Sequence, residues 1–189
     1  MLSLFTKRRG GTPHAFVVAM SGVQMGDQLL QIGCSDAGRL AAIAGKVGLS
    51  GRAVAAVTSE QDGARVTRAA AQAGVLVEVV VAPLSHLALE DGSFDLAVLD
   101  NAGGLLAGLD DEARSAVVRE ALRVLRPGGR VMVVSPGTPQ GLKALLGKRD
   151  AETPGFDPSP MLLAGGFAGA RLLADKEGLV FVEALKPRK

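Results

Sequence analysis

Residues 29–40 of this chain read Leu29-Leu30-Gln31-Ile32-Gly33-Cys34-Ser35-Asp36-Ala37-Gly38-Arg39-Leu40. An apolar run stops at a glycine, small residues follow, and apolar residues then return at helical spacing. This pattern predicts a strand over about 28–33, a tight turn, and a helix over about 37–47, which together form the first half of a βαβ unit. At such a turn a ligand can approach the backbone and meet the free N–H groups of a helix N-terminus.

Predicted strands and helices alternate along the rest of the chain. Further strands are expected at about 53–57, 75–81, 94–99 and 130–134, and helices at about 60–73 and 110–125. Two segments at the end of the chain, 170–173 and 179–184, are separated by a glycine turn and predict a β-hairpin. The sequence therefore predicts an α/β fold: a doubly wound, mostly parallel seven-stranded sheet that ends in an antiparallel hairpin.

Local turn residues predict the limits of several elements. Thr12 and Pro13 are expected to begin an N-terminal helix, and Pro127-Gly128-Gly129 to stop the helix before strand five sharply. The proline-rich region 136–158 is expected to be irregular. We divide the chain into an N-terminal leader and helix, residues 1–24, and one domain, residues 25–189.

Composition excludes several classes of protein. The 189 residues carry a formal net charge of only +2 and no Trp or Tyr, so we expect no nucleic-acid partner. A single cysteine excludes an internal disulfide and a cysteine-based zinc cluster, and no metal site is predicted. No apolar run approaches the roughly 20 residues of a membrane span, and we expect a cytoplasmic protein.

The chain resembles the class I S-adenosylmethionine-dependent methyltransferases over about residues 25–186. The resemblance rests on three segments: the glycine loop 30–38, the approach to strand four at 87–98, and the helix with its Pro-Gly-Gly turn at 120–130. It implies a Rossmann-like methyltransferase fold and S-adenosylmethionine as the cofactor.

The family's acidic-x-Gly-x-Gly-x-Gly loop corresponds to a stretch with fewer glycines. Gln31 stands where the family has the carboxylate that helps to hold the amino-acid end of the cofactor, so the charge is lost but an acceptor remains. In one alignment Ser35 and Ala37 stand for the family's second and third glycines; in a second the loop is one residue longer and Gly38 takes the role of the last glycine. The cofactor-binding residues implied here are Gln31, Gly33, Cys34, Ser35, Ala37 and Gly38.

Two further cofactor contacts implied by the resemblance fall on altered residues. Thr58, followed by Ser59, aligns with the acid that binds both ribose hydroxyls in the family, and a threonine hydroxyl cannot accept from both. Glu60 either folds back to replace that acid or is a first-turn helix acid favoured by the dipole. Pro83 and Leu84 align with the adenine contacts, and only Leu84 keeps a backbone N–H to offer.

Asp100 and Asn101 follow strand four, at the edge where a doubly wound sheet places its ligand. In the family this position faces the reactive methyl group. Asp100 is therefore a candidate general base, or alternatively a cap for the following glycine-rich turn. Methyl transfer to a good nucleophile needs mainly proximity and alignment, so no catalytic side chain is obligatory.

Two functions of different classes follow. The first is a methyltransferase that uses S-adenosylmethionine and acts on a small or amphipathic molecule, as the retained Gly33 and Asp100-Asn101 favour. The second is a non-catalytic protein of the same fold that acts as an interaction or scaffold module, through a homodimer or a protein partner. Gln31, Thr58 and Pro83 favour this second function, because each weakens a cofactor contact.

Overall fold

The computed structural model describes residues 14–137 and 156–189. Seven strands form one mixed sheet in the order β3-β2-β1-β4-β5-β7-β6. The strands are β1 (Gln28–Ile32), β2 (Arg52–Val57), β3 (Glu78–Val81), β4 (Phe94–Asp100), β5 (Leu125–Pro136), β6 (Ala168–Lys176) and β7 (Leu179–Leu185). Strands β1 to β5 run parallel, and β7 pairs antiparallel with both β5 and β6. This confirms the predicted fold class.

Helices cover both faces of the sheet. They are α1 (Ala15–Ser21), α2 (Ala37–Val47), α3 (Glu60–Ala73), α4 (Asp111–Val124) and α5 (Ser159–Ala164). Side chains of β1 alternate between the faces: Leu29 packs with residues of α1 and α2, whereas Leu30 and Ile32 pack with residues of α4 and α5. Burial on both faces explains why the central strands are continuous apolar runs.

The register of the sheet brings four strand ends together. Ile32 is the partner of Ala56 in β2 and of Leu99 in β4, and Val57 is the partner of Val81 in β3. Because these strands are parallel, the residues that follow each of them lie at the same edge of the sheet. This edge is where ligands bind in doubly wound folds.

Two element boundaries differ from the predicted ones. Strand β3 begins at Glu78 rather than near residue 75, because the N–H groups of Gly74 and Val75 still donate to carbonyls at the end of α3. Helix α1 has His14 as its N-cap residue, and the proposed start at Thr12 and Pro13 lies outside the described residues. Most of the region predicted as irregular, residues 138–155, lies outside them as well.

The predicted helix end near residue 125 agrees with the structure, but the following strand begins at Leu125 rather than near residue 130. Helix α4 ends at Val124, and Pro127 to Gly129 lie within β5, where the register with β4 shifts between Phe94 and Leu96. The residue before a proline disfavours helical backbone, so the helix ends before the proline is reached. Gly128, with φ +78°, then turns the strand.

A partly buried ion pair anchors the loop between β3 and β4 to helix α4. The Glu120 carboxylate accepts a hydrogen bond from the Leu87 N–H (2.5 Å) and pairs with Arg123 (2.6 Å). Arg123 also donates to the carbonyls of Leu87 and Leu89 at 3.0 and 2.8 Å. The loop that carries Leu84 is therefore held in place by these two side chains.

We expect this anchor to weaken in acid. The hydrogen bond from Arg123, together with the Leu87 N–H, holds the pKa of Glu120 below its ordinary value of 4.5. Since the pKa is lower in the folded chain, ionised Glu120 stabilises the fold above about pH 4.5, and this stabilisation is lost as the pH falls through the folded-state pKa. Glu120→Gln should lower the free energy of unfolding by about 1–3 kcal/mol at neutral pH and by progressively less towards about pH 3.

Thermal unfolding of both proteins across this pH range measures the difference. Glu90→Gln, which removes an exposed carboxylate from the same loop, serves as the control and should show little difference at any pH. A Glu120→Gln effect that is independent of pH would contradict the assignment.

Within residues 14–137 and 156–189, no helix is long and apolar enough to cross a membrane. Over the same residues, no group of three or more His, Cys, Asp or Glu side chains is placed to hold a metal ion.

Candidate functional site

A cavity of about 170 Å³ lies at the edge where the parallel strands end. It is bounded by the turn after β1, the end of β2, the loop after β3 and the segment after β4. Its lining residues are Gly33, Cys34, Ser35, Val57, Thr58, Asp62, Leu84, Asp100, Gly103 and Leu105. Gly33, Cys34 and Ser35, which belong to the strand–turn–helix segment 29–40, therefore form one wall of this cavity.

Gly33 shapes the turn after β1. Its φ of +77° is a backbone conformation that side chains disfavour, and its N–H donates to the Ala56 carbonyl at 2.8 Å. The Gln31 side chain is 1% exposed, and its amide donates to the Gly33 carbonyl at 3.1 Å. Gln31 thus braces the turn from behind and does not line the cavity.

Asp100 forms the centre of a hydrogen-bond cluster between two loops. It is 2% exposed, and its carboxylate accepts from the Ser35 N–H and hydroxyl, both at 2.8 Å, and from the Ala102 N–H at 3.2 Å. Arg39 is 7% exposed and donates to both carboxylate oxygens at 2.9 and 3.1 Å. The turn after β1 and the segment after β4 are therefore tied together through one buried ion pair.

This geometry argues against the predicted general-base role of Asp100. A carboxylate that already accepts from two side chains and two backbone N–H groups has little acceptor capacity left for a substrate proton. The alternative reading, a cap for the following turn, agrees with the hydrogen bond from Ala102.

Asn101 supports the segment after β4 from inside the protein. Its side chain is 1% exposed, donates to the Ser135 hydroxyl at 3.1 Å and accepts from the Leu106 N–H at 2.7 Å. Leu106 is fully buried, whereas the neighbouring Leu105 points to the cavity. Asn101 therefore shapes this wall without lining the cavity.

Helix α3 separates the two acids that follow β2. Ser59 is the N-cap residue, and its hydroxyl accepts from the Asp62 N–H at 3.1 Å. Asp62 then lies beside Thr58 on the cavity wall, whereas Glu60 lines a different groove, between α3 and the edge strand β3. The structure therefore agrees with the second alternative for Glu60, a first-turn helix acid, since Glu60 begins α3 and does not line the cavity.

Apolar side chains complete the cavity. Leu84 is 5% exposed and lies in the wall, whereas the neighbouring Pro83 does not line the cavity. Leu105 lies over the glycine turn, since a Cβ added at Gly33 would be 2.6 Å from its Cδ2 atom. The end of the Leu105 side chain therefore occupies space beside the Gly33 turn.

Cys34 contributes a thiol to the same wall. Burial, reinforced by the Asp100 carboxylate, raises its pKa from 9.0 to about 11. The thiol therefore stays protonated at neutral pH and behaves as a small packed group rather than as a nucleophile.

The structure brings six of the predicted site residues together and leaves the others outside. The predicted residues in the lining are Gly33, Cys34, Ser35, Thr58, Leu84 and Asp100. Those not in the lining are Gln31, Ala37, Gly38, Ser59, Glu60, Pro83 and Asn101. Asp62, Arg39 and Leu105 were not predicted. For Asp62 a signal existed, because its spacing from Ser59 is that of a capping box, which folds the side chain back towards the strand end.

Comparison with known proteins identifies the family. A family model for the methyltransferase domain matches residues 30–133, more than half of the chain. An uncharacterised 37.1 kDa protein in transposon TN4556 of Streptomyces fradiae is 35% identical over 111 residues, which are 59% of this chain. That match covers only 30% of the length of the relative.

Solved structures agree on the fold. A SAM-dependent methyltransferase from Aquifex aeolicus superposes with a TM-score of 0.71 at 18% identity, over 92% of this chain and 89% of that one. A SAM-dependent methyltransferase from Methanosarcina mazei gives a TM-score of 0.63 at 22% identity, over 92% and 98% of the two chains. The fold that the resemblance implies is confirmed, and the chain belongs to the methyltransferase domain family.

Proposed function

We propose that this chain binds S-adenosylmethionine in the cavity at the strand ends and transfers its methyl group to a small or amphipathic molecule. The observation that carries the proposal is the convergence of four strand ends on one cavity, with Gly33 in a left-handed conformation at the turn after β1. That turn permits the close backbone approach that a ligand at this edge requires.

The residues around the cavity fit the chemical groups of the cofactor. Thr58 and Asp62 offer acceptors for hydroxyl groups, and Leu84 offers an apolar surface for a purine ring. The volume is small, since sites for ligands of this size usually enclose about 300–1,000 Å³. We infer that Leu105 turns away from Gly33 when the cofactor binds, because it is the end of this flexible side chain that fills the space.

When bound, S-adenosylmethionine supplies an electrophilic methyl group on a positively charged sulfur atom. The cavity residues contribute orientation: Gly33 leaves space against the backbone, and the cluster around Asp100 holds the two flanking loops. The Asp100 carboxylate accepts too many hydrogen bonds to remove a proton from the substrate. We therefore infer a mechanism that depends on proximity and alignment, with an acceptor atom that is already nucleophilic.

An apolar groove at the same sheet edge supports a small or amphipathic substrate. It encloses about 310 Å³ and is lined by Pro136, Phe156, Leu172, Val180 and Val182 together with polar residues, among them Asp157 and Asp175. Pro136 ends β5, the neighbour of β4 in the sheet, so the groove begins one strand away from the end of β4. Its mixed lining suits a molecule with an apolar body and a polar end.

Calorimetric titration with S-adenosylhomocysteine and S-adenosylmethionine tests the proposal. We expect dissociation constants in the micromolar range and a rise in the thermal midpoint with ligand, since binding to the native state alone stabilises it. Circular dichroism of the same sample confirms that the protein is folded.

A cytoplasmic location and the oligomeric state stay predictions.

The opposite outcome has a specific meaning. If folded protein gives no heat and no thermal shift with millimolar ligand, the cavity does not bind the cofactor. The second function, a non-catalytic interaction or scaffold module that works as a homodimer or with a protein partner, would then replace the first.

A further inference from the structure

Helix α3 returns a carboxylate to the end of β2, where Thr58 replaces the acid of the family. Strand β2 ends at Val57, Thr58 follows, and the helix begins at Glu60. The first helical turn brings Asp62 back to the strand end, so that Thr58 and Asp62 both line the cavity. The missing carboxylate is thus supplied from four positions further along the chain.

The Asp62 carboxylate is held by two neighbours and keeps acceptor capacity. It accepts from the Ser59 hydroxyl at 2.9 Å and from the Arg65 guanidinium at 2.5 Å, and its side chain is 31% exposed. A carboxylate has about four lone-pair sites, of which these contacts use two. The remaining sites can accept from two hydroxyl groups of a ligand at once.

Arg65 fixes the direction of this carboxylate. The same nitrogen that donates to Asp62 also donates to the Cys34 carbonyl at 3.2 Å. Asp62 is therefore oriented relative to the turn after β1, which forms the opposite wall of the cavity. This makes Arg65 a positioning residue.

The other nearby acids do not offer the same group. Glu60 lines the groove between α3 and β3, and Asp36 caps α2 by accepting from the Arg39 N–H at 3.0 Å. Asp100 lines the cavity, but its carboxylate already accepts from four groups. Among the described residues that line the cavity, Asp62 is thus the carboxylate with free acceptor capacity.

We infer that Asp62, assisted by Thr58, binds the two vicinal hydroxyls of the cofactor ribose, an inference that rests on the proposed function. Two adjacent hydroxyl groups both donate hydrogen bonds, so the group that binds them must be an acceptor. A charged acceptor forms the stronger hydrogen bonds. Asp62, in the first turn of α3, therefore compensates for the acid of the family that Thr58 replaces.

The test compares two ligands and three proteins by calorimetry. S-adenosylhomocysteine and its 2′-deoxy analogue are titrated into the wild type, Asp62→Asn and the control Glu60→Gln, which removes the same charge from the same helix end. We expect Asp62→Asn to weaken S-adenosylhomocysteine about 10- to 100-fold, and Glu60→Gln by less than about twofold. The wild type should bind the 2′-deoxy analogue more weakly than S-adenosylhomocysteine by a similar factor. Asp62→Asn should show only a small difference in affinity between the two ligands.

Each alternative result has a distinct meaning. If the wild type binds S-adenosylhomocysteine and Asp62→Asn binds it equally well, the ribose assignment is overturned while the proposed function stands. The ribose assignment is also overturned if removal of the 2′ hydroxyl from the ligand weakens binding by the same factor in the wild type and in Asp62→Asn. If the folded wild type binds neither ligand at millimolar concentration, the proposed function fails, and this inference fails with it. Thermal unfolding of each variant distinguishes lost contacts from lost folding.

Discussion

Arg39→Met is expected to lower the free energy of unfolding by about 3–5 kcal/mol. The substitution leaves Asp100, which is 2% exposed, without the opposite charge that faces both of its carboxylate oxygens. Removing one partner of a buried ion pair is costly because the remaining charge stays out of water. Equilibrium unfolding in urea at neutral pH measures the loss.

The matched control removes an exposed arginine at the start of β2. Arg52 pairs with Glu78 at 2.8 Å, but the two side chains are 41% and 55% exposed. Arg52→Met should therefore cost only about 1 kcal/mol. Adding Asp100→Asn to Arg39→Met should recover part of the loss, because the unpaired charge is then removed as well. Equal losses for Arg39→Met and Arg52→Met would contradict the role given to the buried pair.

Gly33→Val is expected to abolish detectable binding of S-adenosylhomocysteine, with a loss of at least about 100-fold, which corresponds to roughly 3 kcal/mol. The φ of +77° strains any side chain at this position, and the new Cβ would lie 2.6 Å from the Leu105 Cδ2 atom. Leu105 can move, but valine then occupies the space between the turn and Leu105 that a ligand needs. Calorimetry measures the affinity, and circular dichroism verifies the fold.

Gly178→Val is the control that distinguishes the effect of backbone strain from the effect of filling the cavity. Gly178 has a similar φ of +74° in the turn between β6 and β7, and no atom lies within 4 Å of a Cβ added there. Both substitutions should destabilise the protein by about 1–3 kcal/mol through the backbone. Only Gly33→Val should also reduce ligand affinity, and a similar loss in Gly178→Val would reject the assignment of the cavity.

The cluster around Asp100 explains how this chain holds the turn after β1 in place with few glycines. Where the family has a glycine, Ser35 donates its N–H and hydroxyl to Asp100, and Arg39 completes the charge balance. The two predictions above therefore test two separate properties of one turn: its stability, through Arg39, and the free space beside it, through Gly33.

The order and type of the elements could be predicted from the sequence because they depend on local patterns. Continuous apolar runs such as Ala53 to Val57 predict buried strands, and α3 has the limits of about 60–73 that the sequence predicts. Boundaries failed where a neighbouring element changes the backbone. Val75 stays hydrogen-bonded to the end of α3, and Arg126 is restricted by the proline that follows it.

The site was predicted only in part, and the reason is physical. The sequence by itself determined the strand–turn–helix segment and the glycine that opens the turn, since both follow from local backbone preferences. Only the tertiary structure decided that Arg39 pairs with Asp100, 61 residues away, and that Asp62 rather than Glu60 reaches the cavity. Contacts between distant segments depend on sheet register and helix direction, and neither is encoded in the neighbouring residues alone.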